Sequence, residues 1–442
     1  MLRTLLLSSI LSIFAVTVSA QSLFPYKYEE TKLENGLRIV LIPMKNAGLV
    51  SYFTVVRAGA RDEVEPGKSG FAHFFEHMMF RGTEKYPAEK YNQIVMEMGA
   101  DTNASTSDDR TIYYVHFPSR YLDQVIELQA DKFMNTSYSL EAFQTEAKAI
   151  LGEYNKNFAN PLFQITVRLR DITFEKSTYK HTAMGFLKDI QDMSNQYEYS
   201  LQFFKRFYRP DNSVILITGD FDPAAALVSI KKHYSSWKPG AHKTVNFEEP
   251  EQTAEKQGKV DYPGNTLPML ALAYKAPLFT PENREFAALS LLGELVFGQT
   301  SDLYRQLVLK EQKVDLMLTD FDPHRDPYLF MVLARLKKVE DLQSVEKTIT
   351  DAVEKLKSTP PDAKRLTALK SNLKYTFLMG LDTSKKTAAA LARYLAIVDS
   401  ISDIEKTFQT YDSITPEEIQ KAAQKYLLVE KRTVVTLTGA KQ

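Results

Sequence analysis

His73-Phe74-Phe75-Glu76-His77 places two imidazoles and a carboxylate within five residues, and Met78-Met79-Phe80 extends the apolar run around them. On a helix, residues four apart share one face about 5–6 Å apart, so His73 and His77 are spaced to grip one metal ion. Glu76 falls at the edge of that face, where a carboxylate can take a proton from metal-activated water. Burying these three polar groups among phenylalanines without a partner costs several kcal/mol, and a metal removes that cost. The pentapeptide therefore predicts a hydrolytic zinc centre, with His73 and His77 as ligands and Glu76 as general base.

A hydrolytic zinc takes three protein ligands and keeps its fourth position for water. The chain has no Cys and only seven His, which excludes disulfides and thiolate sites and leaves imidazoles and carboxylates as ligands. A helical pattern from Leu140 to about Asn157 carries Glu141, Glu146 and Glu153 among apolar residues. Glu146 and Glu153 are two turns apart and share a face, so this helix is the expected source of the third ligand.

Outward from the pentapeptide, a helix is expected from Ser69, as cap, to Phe80, with Gly82 beyond its end. Gly36–Pro43 and Val50–Arg57 read as strands, Tyr91–Met98 as a helix, and Asp101–Phe117 as a strand pair. Two distant stretches then match. A helix from Met193-Ser194 to Phe207 precedes a strand over Asn212–Gly219, and a helix from Ile414-Thr415-Pro416-Glu417 to Tyr426 precedes a strand over Arg432–Gly439. The shared unit predicts internal duplication. Lys238-Pro239-Gly240 to Gly258 is polar and aperiodic, which predicts an exposed linker between the halves. The second half has no comparable His pair, and His324, in a Pro- and Asp-rich loop, is expected to be solvated.

A chain of 442 residues is long enough for two to four domains, and Lys plus Arg balances Asp plus Glu at 55 each. That balance gives no electrostatic reason for nucleic acid or an acidic membrane surface as partner. Arg3, an apolar run of about 14 residues and Val18-Ser19-Ala20 fit a cleaved export signal over residues 1–20, too short to span a membrane. Gly293, Gly298 and the other glycines form no phosphate-binding loop.

The His-x-x-Glu-His pattern is that of the inverted zincins, and the chain around it resembles the pitrilysin-like, or insulinase, family of zinc metallopeptidases. Glu153 follows His77 by 76 positions, the family's interval to its third ligand. The resemblance implies His73, His77 and Glu153 as ligands of one Zn²⁺, Glu76 as base, and Glu146 as the carboxylate that orients a ligand; Co²⁺ or Mn²⁺ would also be accepted in vitro. Asn103-Ala104-Ser105-Thr106 is similar to the family segment whose sheet edge pairs with substrate backbone, making Asn103 and Ala104 substrate-binding residues. From Tyr28 to Gly439 the order of elements is similar to two consecutive family domains. The fold implied is α+β: two homologous α/β domains, each a mostly antiparallel sheet covered by helices, forming half of a clamshell chamber. Their expected bounds are 21–238, catalytic and zinc-binding, and 259–442, without a metal site, joined by a linker over 239–258.

One departure stands out. Where self-sufficient members carry an Arg and a Tyr that hold the substrate, this chain has Val308 and Asp315. The resemblance therefore implies the zinc-bearing subunit of a two-subunit bacterial peptidase, its partner a homologous chain bearing Arg and Tyr, or else a homo-oligomer. The expected activity is an exported zinc endopeptidase acting on peptides or small unfolded proteins, periplasmic in a Gram-negative source. The competing expectation is a non-catalytic structural or peptide-binding subunit of the same fold.

Overall fold

Strands form where β-branched and aromatic residues run together between turn formers. The computed structural model describes residues 23–241 and 244–440, and the signal expected over residues 1–20 lies outside the described residues. Strands β1 (Glu29–Lys32), β2 (Arg38–Pro43), β3 (Leu49–Val56), β4 (Asp101–Thr106), β5 (Thr111–Pro118) and β6 (Ser213–Gly219) make one sheet, ordered β1-β2-β6-β3-β5-β4. Strands β7 (Lys256–Tyr262), β8 (Met269–Lys275), β9 (Val314–Asp320), β10 (Leu329–Leu336) and β11 (Arg432–Gly439) make a second, ordered β7-β11-β8-β10-β9. Only β2 with β6 and β7 with β11 are parallel; the other pairs are antiparallel.

The helices of the first half are α1 (Phe71–Met78), α2 (Ala88–Glu97), α3 (Leu122–Asn135), α4 (Leu140–Phe158), α5 (Pro161–Thr173), α6 (Leu187–Asp192), α7 (Tyr197–Phe207) and α8 (Pro223–Tyr234). Those of the second are α9 (Arg284–Phe297), α10 (Asp302–Tyr304), α11 (Leu342–Ser358), α12 (Ala363–Met379), α13 (Ser384–Leu395), α14 (Ile401–Ser413) and α15 (Pro416–Tyr426). The matching sequence units occupy matching places. β6 is inserted between β2 and β3, and β11 between β7 and β8, each following its helix, α7 or α15.

Alternation along the strands assigns a core to each face. In the first sheet Val50, Tyr52, Ile215 and Ile217 pack under α1, α3 and α4, while Phe53, Val55, Val214 and Leu216 face the other way. That second face is covered by α13 and α14 of the other half, through Ala388, Leu391, Leu395 and Ile404. The second sheet is treated reciprocally: α5 of the first half lays Ile165 and Leu169 on Ala271, Leu333, Val435 and Leu437. Each half thus lends a helix to cover the other's sheet. β6 and β8, buried on both faces, read as continuous apolar runs for this reason.

A polar seam joins the halves. Arg325, between β9 and β10, donates to Asp62 (2.5 Å) and Asp109 (3.0 Å), and Arg61 donates to Asp326 (2.8 Å). Asp108, at the β4–β5 turn, accepts from Arg170 of α5 (2.6 Å) and contacts His324 (3.1 Å). His324 therefore departs from expectation: it is 7% exposed, stacked on Tyr328, because its loop inserts against the first half instead of projecting into water. The stretch read as an exposed linker is largely exposed and without regular structure before β7, but it is tied down along its length. Glu249 accepts three backbone N–H groups from residues 175–177, buried Gln252 donates to the Arg432 carbonyl (2.7 Å), and β7 already starts at Lys256.

Arg325→Ala leaves Asp62 and Asp109, with side chains 5% and 1% exposed, without their shared cation. We expect a loss of about 3–5 kcal/mol in unfolding free energy by denaturant titration.

Candidate metal centre

Helix α1 is set by its apolar residues. Phe71, Phe74, Phe75 and Met78 recur at helical spacing, and all are buried. Phe74 meets Phe143 of α4 with ring centroids 5.0 Å apart, and Phe75 stacks on Phe203 of α7 at 5.5 Å. Tyr113 of β5 donates to the Phe75 carbonyl at 3.0 Å, tying the helix to the sheet. The helix is shorter than expected at its start. Ser69 is not its cap, because its hydroxyl donates to Asp189 (2.6 Å) and accepts from the Phe186 amide (2.8 Å); Gly70 takes the cap position.

With that face fixed, His73 and His77 stand side by side, ring centroids 4.8 Å apart. Helix α4 is capped by Ser139, which accepts from the Ala142 amide, and it buries Phe143, Ala147, Ile150 and Tyr154. Its Glu146 and Glu153 consequently point at α1. Glu153 Oε2 lies 3.3 Å from His77 Nε2 and 3.7 Å from His73 Nε2, and the three donor atoms fall within 4.8 Å of one another. Tetrahedral zinc with bonds of about 2.0–2.1 Å holds its ligand atoms about 3.3 Å apart, so this donor set fits that ion in number, chemistry and spacing.

The surrounding groups prepare those atoms. Glu146 meets His77 Nδ1 at 2.8 Å, which places the ring proton there and leaves Nε2 as a lone pair towards Glu153 and His73. Arg81 donates to the other Glu146 oxygen at 2.6 Å. Burial opposes ionisation of Glu146, but its bonds from His77 and Arg81 hold the carboxyl below its ordinary range. Burial and the neighbouring His77 press His73 down to about 4, so its ring is neutral at pH 7. Glu76 is pushed above its ordinary value by burial, partly offset by the Thr106 hydroxyl, which donates to it at 2.5 Å.

Glu76, His77, Arg81, Asn103 and Glu146 help to line an open cavity of about 510 Å³. Asn103 and Ala104 lie on β4, an edge strand hydrogen-bonded to β5 alone. The Ala104 amide is occupied by the Asn103 side-chain oxygen at 2.8 Å. Val308 lies in a π-helical turn, Arg305–Lys310, and packs against the second core. Asp315 on β9 accepts from Arg335 at 2.9 Å. Neither is a free donor.

Sequence reasoning missed Arg81, Thr106 and Glu63. Arg81 was legible as a cation four residues beyond His77, just past the end of α1. Thr106 stood inside the quoted Asn103–Thr106 segment, but only the β4–α1 contact reveals its bond to Glu76. Glu63, whose carboxylate accepts from the Gly70 and Ala72 amides, carries no sequence signal.

Comparison with known proteins assigns the chain to a family. The profile of insulinase (peptidase family M16) matches residues 38–186, and that of the peptidase M16 inactive domain matches residues 196–373. The chain belongs to the M16 peptidase family. It is 29% identical to zinc protease PqqE of Helicobacter pylori, over 98% of each chain. Probable zinc protease PqqL of Escherichia coli is 26% identical over 46% of this chain and 22% of its own length. Among solved structures, a protease from Helicobacter pylori superposes with a TM-score of 0.86 at 27% identity, covering 93% of this chain and 99% of that one. The first half of the periplasmic protease PqqL from Escherichia coli gives 0.74 at 20% identity, a likeness of fold, covering 94% and 93%. No helix among the described residues is long and apolar enough to cross a membrane.

Removing the outer carboxylate in Glu146→Ala frees His77 Nδ1. Zinc affinity should fall about 10–100-fold by chelator competition, with the fold retained in circular dichroism.

Proposed function

We propose that this chain is an exported zinc endopeptidase for peptides or small unfolded proteins, and that it works with a homologous partner subunit. The observation carrying the reading is the convergence of His73, His77 and Glu153 from two helices, with Glu76 beside them on the cavity wall. In this reading those three side chains hold one zinc within a catalytic unit spanning residues 21–238. The unit 259–442 is its metal-free counterpart beyond the 239–258 connection.

Zinc at these side chains supplies Lewis acidity, which polarises a peptide carbonyl and acidifies water. Glu76 removes the water's proton and returns it to the leaving amide nitrogen. Its raised pKa suits a base that must afterwards act as an acid. Thr106 holds the Glu76 carboxylate in place. Glu146 keeps His77 in the tautomer that presents Nε2, and burial keeps His73 neutral for the same task. The substrate backbone adds to the free edge of β4 at Asn103 and Ala104, and Asn103 turns its side chain away from the Ala104 amide to admit it. Edge pairing reads backbone, which favours extended, unfolded substrates.

The partner reading rests on Val308 and Asp315, one packed against the second core and the other engaged by Arg335. An Arg/Tyr-bearing chain would supply the missing donors and the other half of a closed chamber. Export rests on the leader pattern over residues 1–20, and a periplasmic location is supported by the relative titled a periplasmic protease.

Glu76→Gln should retain one zinc per chain while kcat falls by about 10²–10⁴ on a fluorogenic peptide; cleavage at the unsubstituted rate would remove Glu76 as base. The purified chain alone should cleave about 10²–10³ times more slowly than with its homologous partner. Full activity as a monomer or homodimer would end the partner reading.

A further inference from the structure

Glu63 is a buried carboxyl that the reaction leaves unused. Its side chain is 0% exposed, and its two oxygens accept separately from first-turn amides of the metal helix: Oε2 from Gly70 N and Oε1 from Ala72 N, each at 2.7 Å. Ala72 immediately precedes His73. Among the described residues, its one ion-pair neighbour is His181, with Nδ1 3.8 Å away, and burial presses that ring down to about 4, leaving it neutral. Burial, with Asp62 and Asp189 nearby, pushes the Glu63 carboxyl well above its ordinary range, and the two amides at the helix start, where unpaired N–H groups seek acceptors, pull the other way.

The geometry explains why the capping oxygens come from seven and nine residues upstream. Gly70 sits at φ 91°, where an L side chain is strained, and a Cβ there would press on Ile190 Cδ1 at 2.3 Å, which disfavours a Ser, Asp or Asn cap. Ser69 is committed to Asp189. The segment bearing Glu63 is itself braced. Ala60 and Arg61 amides donate to the Ser107 and Asp108 carbonyls (3.3 and 2.8 Å), and Asp62 accepts from the Gly59 amide (3.1 Å) and from Arg325 of the second half (2.5 Å).

We propose that Glu63 is a positioning residue: it sets the rotation and height of α1, and so the approach of His73 and His77 to Glu153, with Arg325 of the metal-free half bracing it through Asp62. This inference rests on the metal reading above. It gives the second half a part in shaping the centre without contributing a ligand.

Cobalt substitution of the full chain tests it, because the visible bands of bound Co²⁺ report ligand geometry, which a loss of stability alone does not alter. Glu63→Gln keeps the shape but turns an amide N–H₂ towards a backbone N–H. We expect shifted Co²⁺ bands, about tenfold faster metal loss to a chelator, and a lower kcat at unchanged KM. Glu63→Asp keeps the carboxyl and reaches one amide, so it should give intermediate bands and release; it serves as the test if the Gln variant does not fold. Unshifted bands and the unsubstituted release rate in the folded variants would overturn the proposal. If the unsubstituted chain gives no Co²⁺ bands that disappear in His73→Ala, the metal reading fails and this inference falls with it.

Discussion

Two imidazoles and a carboxylate share an eight-residue helix whose other face must be buried, and that constraint organises the structure around α1. Each buried Phe or Met contributes about 1.5–3 kcal/mol, so Phe71, Phe74, Phe75 and Met78 draw the helix firmly onto the sheet and α4. They carry His73, Glu76 and His77 into poor solvent with them. An unmet buried polar group costs about 1–3 kcal/mol, so three of them would consume much of that gain. The neighbouring polar residues resolve the conflict one group at a time. Glu146 answers His77, Arg81 answers Glu146, Thr106 answers Glu76, and Glu63 answers the helix's own first amides. Besides the buried His73 Nδ1, what remains unmatched here is a set of nitrogen and oxygen lone pairs around one point, which is what a divalent cation requires.

The duplicated halves show how one scaffold takes two roles. α9 follows β8 as α1 follows β3, yet its sequence, Arg-Glu-Phe-Ala-Ala-Leu-Ser-Leu-Leu-Gly-Glu-Leu-Val-Phe, holds no imidazole and buries more than half of its residues in the core. The second half serves as cover and clamp. α13 and α14 seal the outer face of the first sheet, and the loop bearing His324 and Arg325 grips the β4–β5 turn and the segment before α1. Because α5 makes the return crossing, neither sheet has both faces covered within its own half.

Local signals in the sequence were faithful where short-range rules govern. The His pair at helical spacing, the Ser139-capped α4, the Thr415 capping box of α15 and the β11 bounds could all be read directly. Family spacing, not periodicity, distinguished Glu153 from Glu141 and Glu146. What could not be read depends on contacts between residues hundreds of positions apart. His324 looked solvated because a Pro- and Asp-rich loop is usually exposed, and nothing local announces that Asp108 waits across the interface. Ser69 looked like a cap because its rivals, Asp189 and the Phe186 amide, arrive from another segment. The exchange of covering helices is equally silent in sequence, since α5 and α13 are amphipathic whichever sheet they meet.

The central claim is that His73, His77 and Glu153 close on a single zinc ion. Elemental analysis of the purified chain, beside His73→Ala and Glu153→Ala, tests it most directly. One zinc per chain, lost in both variants, is the predicted result; a metal-free protein, or zinc content indifferent to both substitutions, would contradict it.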